Sequence, residues 1–203
     1  YGPGQTESEV VLADLTSFSK AQSEQKPALT DLAGYDWAKD AIHALYDEGI
    51  VTGTGAGTFS PGREIKRGDF ILMLVRAYGL TAAVEGNFAD VKADAYYAEA
   101  IAVARALGIA QGDGTYFKPE SSITRAEAMA LLYRTMAYKG VAPAQSGDLS
   151  AYPDAGDLLS VFTGPVSALV GAGIITGSNG LLKPNDPMTR AQLAVALYKA
   201  LHQ

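Results

Sequence analysis

Three arginines occupy the same place in three similar stretches of the chain, at the first turn of a predicted helix. Thr124-Arg125-Ala126-Glu127 and Thr189-Arg190-Ala191-Gln192 match closely, and Lys66-Arg67-Gly68-Asp69 is a divergent third copy. Threonine followed three residues later by Glu or Gln is a capping box, which satisfies free backbone N–H groups at a helix start. Capping does not explain the arginine, because a cation there faces the positive end of the helix dipole.

The recurring arginines predict binding of an anion. A guanidinium group offers a fork of donors that matches a carboxylate, and the N–H groups of a helix start also attract anions. An acidic ligand such as a carboxylate-bearing sugar would suit Arg67, Arg125 and Arg190, which all lie beside a repeated glycine loop. The alternative is structural: a first-turn arginine could pair with a neighbouring acid or lie over an aromatic ring.

Aromatic and acidic residues recur at a second fixed spacing. Trp37 and Tyr96 stand six residues after Asp31 and Asp90, respectively. An aromatic face packs well against a sugar ring, and a carboxylate accepts hydrogen bonds from sugar hydroxyls, so these residues are candidates for sugar binding. The alternative for each pair is a core anchor with an acid at the helix entry.

The chain contains three internal repeats that align almost without gaps. In each repeat an apolar residue stands eleven positions before an anchoring glycine, and a proline lies six positions before the arginine. The anchoring glycines are Gly53, Gly112 and Gly177. We predict repeats at residues 29–82, 86–140 and 150–203, preceded by a segment of residues 1–28 that contains one amphipathic helix.

Each repeat predicts a helix, a loop and a second helix, so the expected fold class is mainly all-α. The first helix of repeat 1 covers about residues 37–48, with apolar side chains on one face. Gly49, Gly108 and Gly173 suit left-handed positions at helix ends, and turn-forming pairs favour a short hairpin in the loop. A helical pair of about 50 residues has too little core to be stable alone, so the three pairs should pack together with the second helices central.

Composition and spacing exclude several functions. The net charge of −6 argues against a broad nucleic-acid surface, and no apolar run approaches the length of a membrane span. The chain has no cysteine, and its two histidines, His43 and His202, are far apart. Without a cluster of metal or nucleophile spacing, we predict no catalytic residue, no metal and no cofactor.

Several stretches carry a family resemblance. The spacing of Asp31, Trp37-Ala38, Gly49-Ile50 and Phe59-Ser60-Pro61 resembles the S-layer homology domain, and so does the second repeat, which contains Ile123-Thr124-Arg125-Ala126-Glu127. The resemblance covers nearly everything from Asp31 to the end as three tandem copies. It implies a pseudo-threefold, mostly helical assembly with a central helical bundle and three loop prongs.

The resemblance also implies a non-catalytic, extracellular module that anchors an S-layer or exoenzyme portion of the same protein to a Gram-positive cell wall. Such modules bind a secondary cell-wall polymer, often through a terminal pyruvylated N-acetylmannosamine, in grooves between repeats. By position, the pyruvate carboxylate would face Arg125, Arg190 and, within its divergent motif, Arg67. The sugar side would be lined by Asp31, Trp37, Asp90 and Tyr96, with close backbone approach at Gly53, Gly112 and Gly177.

Two repeats depart from the family pattern. In the first, Lys66 replaces the capping threonine, so we expect a weaker cap. In the third, Gln192 replaces the glutamate and should still cap. The first helix of that repeat, after Asp154, starts with an extra residue and offers Val161-Phe162 as its apolar pair. We therefore expect at most two fully competent grooves.

The alternative function is a helical-repeat scaffold for protein–protein interaction, with hot spots on aromatics such as Tyr133 and Tyr138. The two hypotheses differ at Arg125. If Arg125 binds the glycan, Arg125→Ala should weaken binding by several-fold to a hundredfold and change folding little, because the residue caps nothing. A carbohydrate-active enzyme has no credible carboxylate pair in this sequence.

Overall fold

The computed structural model describes residues 26–203, which are helical apart from connecting loops and isolated β-bridges. The helices are α1 (Asp36–Asp47), α2 (Arg67–Tyr78), α3 (Ala98–Ala106), α4 (Arg125–Tyr138), α5 (Ser160–Gly171) and α6 (Arg190–Leu201), with one 3-10 helix at Ala155–Asp157. The mainly all-α fold class is confirmed. The predicted amphipathic helix of residues 1–28 lies outside the described residues. Within the described range, no helix has the length and apolar character needed to cross a membrane.

Helices α4 and α6 begin at reciprocal capping boxes, as predicted. The Thr124 hydroxyl accepts from the Glu127 N–H at 3.2 Å, and the Glu127 carboxylate accepts from the Thr124 N–H at 3.1 Å. Thr189 and Gln192 repeat both bonds at the same distances. Lys66 stands at the start of α2 without a side-chain capping bond among the described residues, and its ammonium group pairs with Glu120 at 2.5 Å. The weaker cap expected for α2 is therefore confirmed.

The helices pack in pairs that cross repeat boundaries. The first helix of each repeat contacts the second helix of the preceding repeat, so that α3 packs on α2 and α5 packs on α4. Helix α1 packs on α6, which joins the beginning of the described chain to its end. The three repeats therefore form a closed ring around one shared apolar core.

A triangle of backbone hydrogen bonds lies where the second helices begin. The Ile65 N–H donates to the Met188 carbonyl at 2.9 Å, Ile123 donates to Ile65 at 3.0 Å, and Met188 donates to Ile123 at 2.9 Å. All three side chains are buried. This closed triangle defines a pseudo-threefold axis, and α2, α4 and α6 each start two residues beyond it.

A loop prong follows the first helix of each repeat, and an aspartate of the same repeat closes its base. The Asp31 carboxylate accepts from the N–H groups of Phe59 and Ser60 at 2.9 and 2.8 Å. Asp90 binds Phe117 and Lys118, and Asp154 binds Leu182 and Lys183, at the same distances. Ser60, Lys118 and Lys183 have positive φ angles of 56°, 57° and 49°. The carboxylate thus holds a backbone conformation that residues with a side chain rarely adopt.

The expected hairpins are present in minimal form. Antiparallel bridges join Gly55 to Thr58 in the first prong and Ser178 to Leu181 in the third. In the second prong, the Asp113 N–H donates to the Tyr116 carbonyl at 3.0 Å and closes the turn. These contacts make each prong a short, ordered loop that projects beside the start of a second helix.

Candidate functional site

Each of the three arginines extends from its own repeat to the prong of the next one around the ring. The Nε of Arg67 donates to the Phe117 carbonyl at 2.8 Å, and that of Arg125 donates to the Leu182 carbonyl at 2.9 Å. Arg190 completes the cycle by donating to the Phe59 carbonyl at 2.8 Å. In every repeat the acceptor is the residue immediately before the positive-φ position. The arginines therefore connect neighbouring repeats at the bases of the prongs.

Two of the arginines are buried cations. Arg125 is 4% exposed and Arg190 is 7% exposed. Burial lowers the pKa of the Arg125 guanidinium, while Asp186 and Asp154 act in the opposite direction. Burial likewise lowers the pKa of Arg190, and Asp69 opposes it. A guanidinium stays protonated in proteins, so both sites carry a fixed positive charge below the surface.

The structural alternative proposed for these arginines also occurs. Arg67 forms an ion pair with Glu127, with 2.9 Å between Nη1 and Oε2, and its guanidinium carbon lies 4.7 Å from the ring centre of Phe117. Arg190 lies over Phe59 at 4.5 Å. For Arg125 the structure adds a contact that the sequence-based expectation of unchanged folding did not include, because its removal would leave the Leu182 carbonyl without its partner. We therefore now expect loss of Arg125 to reduce stability.

Three grooves lie between the repeats in the described part of the chain, and each contains the first-turn arginine of one repeat. Arg63 and Arg76 also line the Arg190 groove, and Arg134 also lines the Arg67 groove. The Arg190 groove is lined by residues that include Gly53, Asp69, Met73, Tyr96 and Arg190. The Arg67 groove is lined by residues that include Arg67, Gly112, Glu127, Leu131, Val161 and Phe162. The Arg125 groove is lined by residues that include Trp37, Arg125, Gly177, Gln192 and Val195.

Every groove draws on all three repeats. The arginine comes from one repeat, the prong glycine and second helix come from the next, and the start of the first helix comes from the third. The cavity volume is about 370 Å³ in the Arg190 groove and about 110 Å³ in the Arg125 groove. A groove of this kind exists only when the ring is closed.

The predicted aromatic residues lie at the groove rims. Trp37 is 58% exposed beside Arg125, and Tyr96 is 66% exposed beside Arg190. The Tyr96 hydroxyl donates to Asp69, and burial together with this bond raises the pKa of Tyr96. Val161 and Phe162 occupy the corresponding rim of the Arg67 groove. Exposed rings next to a buried cation can contact a sugar whose acidic group points inward.

The predicted aspartates have a structural role that the sequence did not indicate. Both carboxylate oxygens of Asp31 and of Asp90 accept backbone hydrogen bonds at the prong base, as described above. Burial alone would raise the pKa of Asp31, but the bonds from Phe59 and Ser60 outweigh it and lower the pKa. Their use in binding sugar hydroxyls remains a prediction, and the structure provides a reason for their recurrence that involves no ligand.

The anchoring glycines line the grooves and also permit tight prongs. A Cβ added to Gly112 would lie 2.2 Å from the Tyr116 carbonyl oxygen, and one added to Gly53 would lie 2.7 Å from that of Thr58. For Gly177 the corresponding distance to the Leu181 carbonyl oxygen is 2.7 Å. At these glycines, the backbone segments that approach each other closely both belong to the same prong.

Sequence reasoning missed two structural roles that fixed spacing could have indicated. Asp154 stands 28 residues before Leu182, the same separation as Asp31 from Phe59, and it closes the third prong. An apolar residue two positions before each arginine forms the axial triangle. The ion pair between Arg67 and Glu127 joins residues 60 apart and has no local signal in the sequence.

A comparison with protein families decides the assignment. The model of the S-layer homology domain matches residues 28–71, 87–129 and 151–194. The chain belongs to the S-layer homology domain family. The predicted family is therefore confirmed, with three matched segments that each contain one of the arginines.

Relatives include surface proteins and enzymes. The chain is 34% identical, over 89% of its length, to a surface-layer 125 kDa protein of Lysinibacillus sphaericus, of which it covers 15%. It is 31% identical over 83% of its length to an amylopullulanase of Thermoanaerobacterium thermosulfurigenes, of which it covers 9%. It is 27% identical over 83% of its length to the S-layer protein sap of Bacillus anthracis, of which it covers 20%. The chain thus spans a small part of these proteins.

The family assignment makes this region an S-layer homology module for cell-wall anchoring rather than a catalytic domain. It also locates the module at the cell surface, with the cell wall and the S-layer. The enzymes among the relatives match the chain over a small share of their length, as expected for a non-catalytic part joined to a separate catalytic region.

Proposed function

We propose that this S-layer homology module binds a secondary cell-wall polymer through a terminal pyruvylated N-acetylmannosamine, in the grooves between its repeats. The observation that carries the proposal is the recurrence of a first-turn arginine in each of three grooves, buried in two of them. The module would thereby anchor an S-layer or exoenzyme portion of the same protein.

The chemistry of the grooves suits an acidic sugar. A carboxylate that enters a groove meets a guanidinium, whose fork of donors favours negative charge. The first N–H groups of the neighbouring helix are already bonded within the protein, so the guanidinium supplies the available donors. The pyranose ring would then lie at the rim, where Trp37 or Tyr96 offers an exposed aromatic face. Binding of this kind needs no covalent step, and the polymer beyond the terminal sugar would remain in solvent.

The alternative function as a protein-binding scaffold has less support, because one of its two candidate hot-spot residues is not exposed. Tyr138 is 52% exposed, as a hot spot requires, but Tyr133 is partly buried against the core. An interaction surface centred on these residues would leave the groove arginines without a role in binding. The two proposals therefore make opposite predictions for Arg125.

The first test is sedimentation of the purified module with Gram-positive cell walls, before and after acid extraction of the secondary polymer. We expect binding to untreated walls and its loss after extraction. Calorimetry with the pyruvylated monosaccharide and its unpyruvylated counterpart should then show a requirement for the carboxylate. Equal sedimentation with extracted walls would contradict the proposal, and so would equal affinity for both sugars.

The second test is Arg125→Ala. We expect wall and sugar binding to weaken by several-fold to a hundredfold, as loss of a charge-assisted contact worth about 1–3 kcal/mol would cause. The variant should also unfold more easily, so binding is measured at a temperature where circular dichroism shows it folded. Arg105→Ala is the matched control, because Arg105 is exposed and lies over Phe88 away from the three grooves. Equal losses in both variants would exclude a specific role for Arg125.

A further inference from the structure

The three grooves share one arrangement of first-turn arginine, prong glycine and second helix. They differ at their rims and also at the position opposite the arginine. The third residue of the second helix is Asp69 in the Arg190 groove, Glu127 in the Arg67 groove and Gln192 in the Arg125 groove. The sequence alone indicates only a capping role for this position. In the ring, however, it lies in the same groove as the arginine of the preceding repeat.

In the Arg67 groove, the guanidinium already has a carboxylate partner. Glu127 Oε2 lies 2.9 Å from Arg67 Nη1 and also accepts the capping bond from the Thr124 N–H. The Nε of Arg67 is occupied by the Phe117 carbonyl. An incoming carboxylate that bound both terminal nitrogens of Arg67 would have to displace Glu127 from Nη1. The charge of Arg67 is therefore neutralised from within the protein, although Arg134 also lines this groove.

In the Arg125 groove, the same position is occupied by an uncharged amide. Gln192 caps α6 as Glu127 caps α4, but it brings no negative charge to the groove. Within residues 26–203, the only side-chain hydrogen bond of Arg125 runs from Nε to the Leu182 carbonyl, and neither ion pair of that range involves Arg125. The two terminal nitrogens, which form the fork that a carboxylate prefers, are thus left for a ligand.

Arg190 is intermediate between these two arginines in its bonding, and its groove is also lined by Arg63, Lys66 and Arg76. Arg190 donates a hydrogen bond from its terminal nitrogen Nη2 to the Thr52 carbonyl at 2.8 Å, in addition to the bond from Nε to the Phe59 carbonyl. Asp69 is the principal acid acting on Arg190. Of the three arginines, only Arg125 keeps both terminal nitrogens unbound within the described residues.

We propose that the Arg125 groove is the principal carboxylate-binding groove of this chain, and that the residue at position 192 or 127 determines whether a groove accepts an anion. This inference rests on the proposed function and assigns it to one groove. Neutral Gln192 leaves Arg125 available, whereas Glu127 occupies Arg67. The Arg125 cavity of about 110 Å³ is smaller than the roughly 300 Å³ of an ordinary ligand pocket, so it accommodates an acidic end group while the sugar ring rests on Trp37.

The chain provides a reporter for this groove alone. Trp37 is the only tryptophan in the sequence, and it lies at the rim of the Arg125 groove. Titration of the wild-type chain with pyruvylated N-acetylmannosamine should change its tryptophan fluorescence, and the unpyruvylated sugar should not. Binding of the pyruvylated sugar in calorimetry without any change in Trp37 fluorescence would overturn the inference.

Two reciprocal variants test whether the residue at position 192 or 127, called the selector position, controls anion binding. Gln192→Glu should weaken the fluorescence-detected binding at least about tenfold, because the new acid pairs with Arg125 as Glu127 pairs with Arg67. Glu127→Gln should leave the Trp37 titration unchanged and add a second binding event in calorimetry. Gln192 shows that an amide can cap this helix position, so both variants should fold, as circular dichroism can verify.

The outcomes separate the inference from the proposed function. If the wild-type chain binds walls and pyruvylated sugar but Gln192→Glu titrates like wild type, position 192 is not the selector and only the inference fails. If the wild-type chain binds neither, the proposed function itself fails. In a Trp37→Phe, Val161→Trp background, the reporter moves to the Arg67 groove, where a signal should appear only after Glu127→Gln.

Discussion

At the scale of single residues, the arginines show how one side chain can serve folding and binding together. The Nε of each arginine is used to hold the next prong, and this bond fixes where the remaining nitrogens point. Burial of Arg125 and Arg190 excludes water from the guanidinium, which strengthens its attraction for an anion. The same burial makes the residues sensitive to replacement, because a lost partner leaves a backbone carbonyl unsatisfied.

Arg190→Lys separates charge from geometry. Lysine keeps the positive charge, but its single ammonium group cannot reproduce the planar contacts with both the Phe59 and Thr52 carbonyls. We expect the free energy of unfolding to fall by about 1–3 kcal/mol, measured by urea denaturation. Arg76→Lys, at an exposed position of α2, should change stability little. Equal stability of the two variants would show that charge alone explains Arg190.

The sequence identified these residues because they recur where helix physics disfavours them. It could not assign the partners, since the carbonyl that Arg190 binds belongs to Phe59, 131 residues earlier. For Asp31 and Asp90 the same spacing suggested sugar binding, although the carboxylates close the prongs. Recurrence alone cannot distinguish a repeated ligand contact from a repeated turn, because both are duplicated with the fold.

At the scale of elements, each prong depends on a charged carboxylate. Backbone bonds hold the pKa of Asp31 and of Asp154 below the ordinary value of 3.8, despite burial that acts the other way. Because their pKa is lower in the folded state, these carboxylates stabilise the fold fully at pH values above the ordinary pKa. That contribution is lost as the pH falls through the folded-state pKa. We therefore expect the melting temperature to decline below about pH 4, with the prongs affected directly.

Asp154→Asn tests this assignment. One amide oxygen can replace only one of the two acceptors that Leu182 and Lys183 use, so the melting temperature at pH 7 should fall by roughly 2–4 °C, the shift that about 1 kcal/mol causes in a chain of this size. The acid-induced decline should also become shallower. Asp157→Asn, at an exposed position of the following 3-10 helix, is the control. An unchanged acid profile for Asp154→Asn would contradict the role of this carboxylate.

The contact between α2 and α3 depends on the absence of a side chain. A Cβ added to Gly68 would lie 2.9 Å from Tyr97 Cδ1 and 3.2 Å from the Pro119 carbonyl oxygen. At the corresponding positions of α6 and α1, the residues are Ala191 and Ala38, both buried. Glycine in repeat 1 therefore accommodates the larger ring in repeat 2, a compensation that the sequence shows only once the pairing of helices is known.

Gly68→Ala should lower the free energy of unfolding by about 1–3 kcal/mol through overpacking. The effect should largely disappear in a Tyr97→Ala background, which restores the small-residue pair of the α6–α1 contact. Urea denaturation of the four proteins gives the coupling energy directly. Additive losses would show that Gly68 is needed for its backbone rather than for space beside Tyr97.

At the scale of the whole molecule, the ring determines what each repeat can do. Periodicity in the sequence predicted three helical pairs, and the structure contains six helices at those places over residues 26–203. The periodicity did not reveal that each first helix packs on the second helix of the preceding repeat, because local periodicity indicates a buried face but not its partner. Because the helices pack across repeat boundaries, every groove is lined by residues from all three repeats. Binding and folding therefore cannot be assigned to a single repeat.

Removal of the third repeat tests this interdependence. A chain that ends at Gly140 lacks α6 and Met188, so α1 loses its packing partner and the axial triangle is open. We expect such a chain to lose cooperative unfolding and the dispersed amide spectrum of a folded protein, as measured by urea denaturation and NMR. Addition of residues 141–203 as a separate chain should restore both, because the missing contacts are non-covalent.

Cooperative unfolding of the truncated chain by itself would show that two repeats form an independent domain and that ring closure is not required for folding. In that case the Arg67 groove would persist in part without the start of α5, and the Arg125 and Arg190 grooves, which both need α6, would be incomplete.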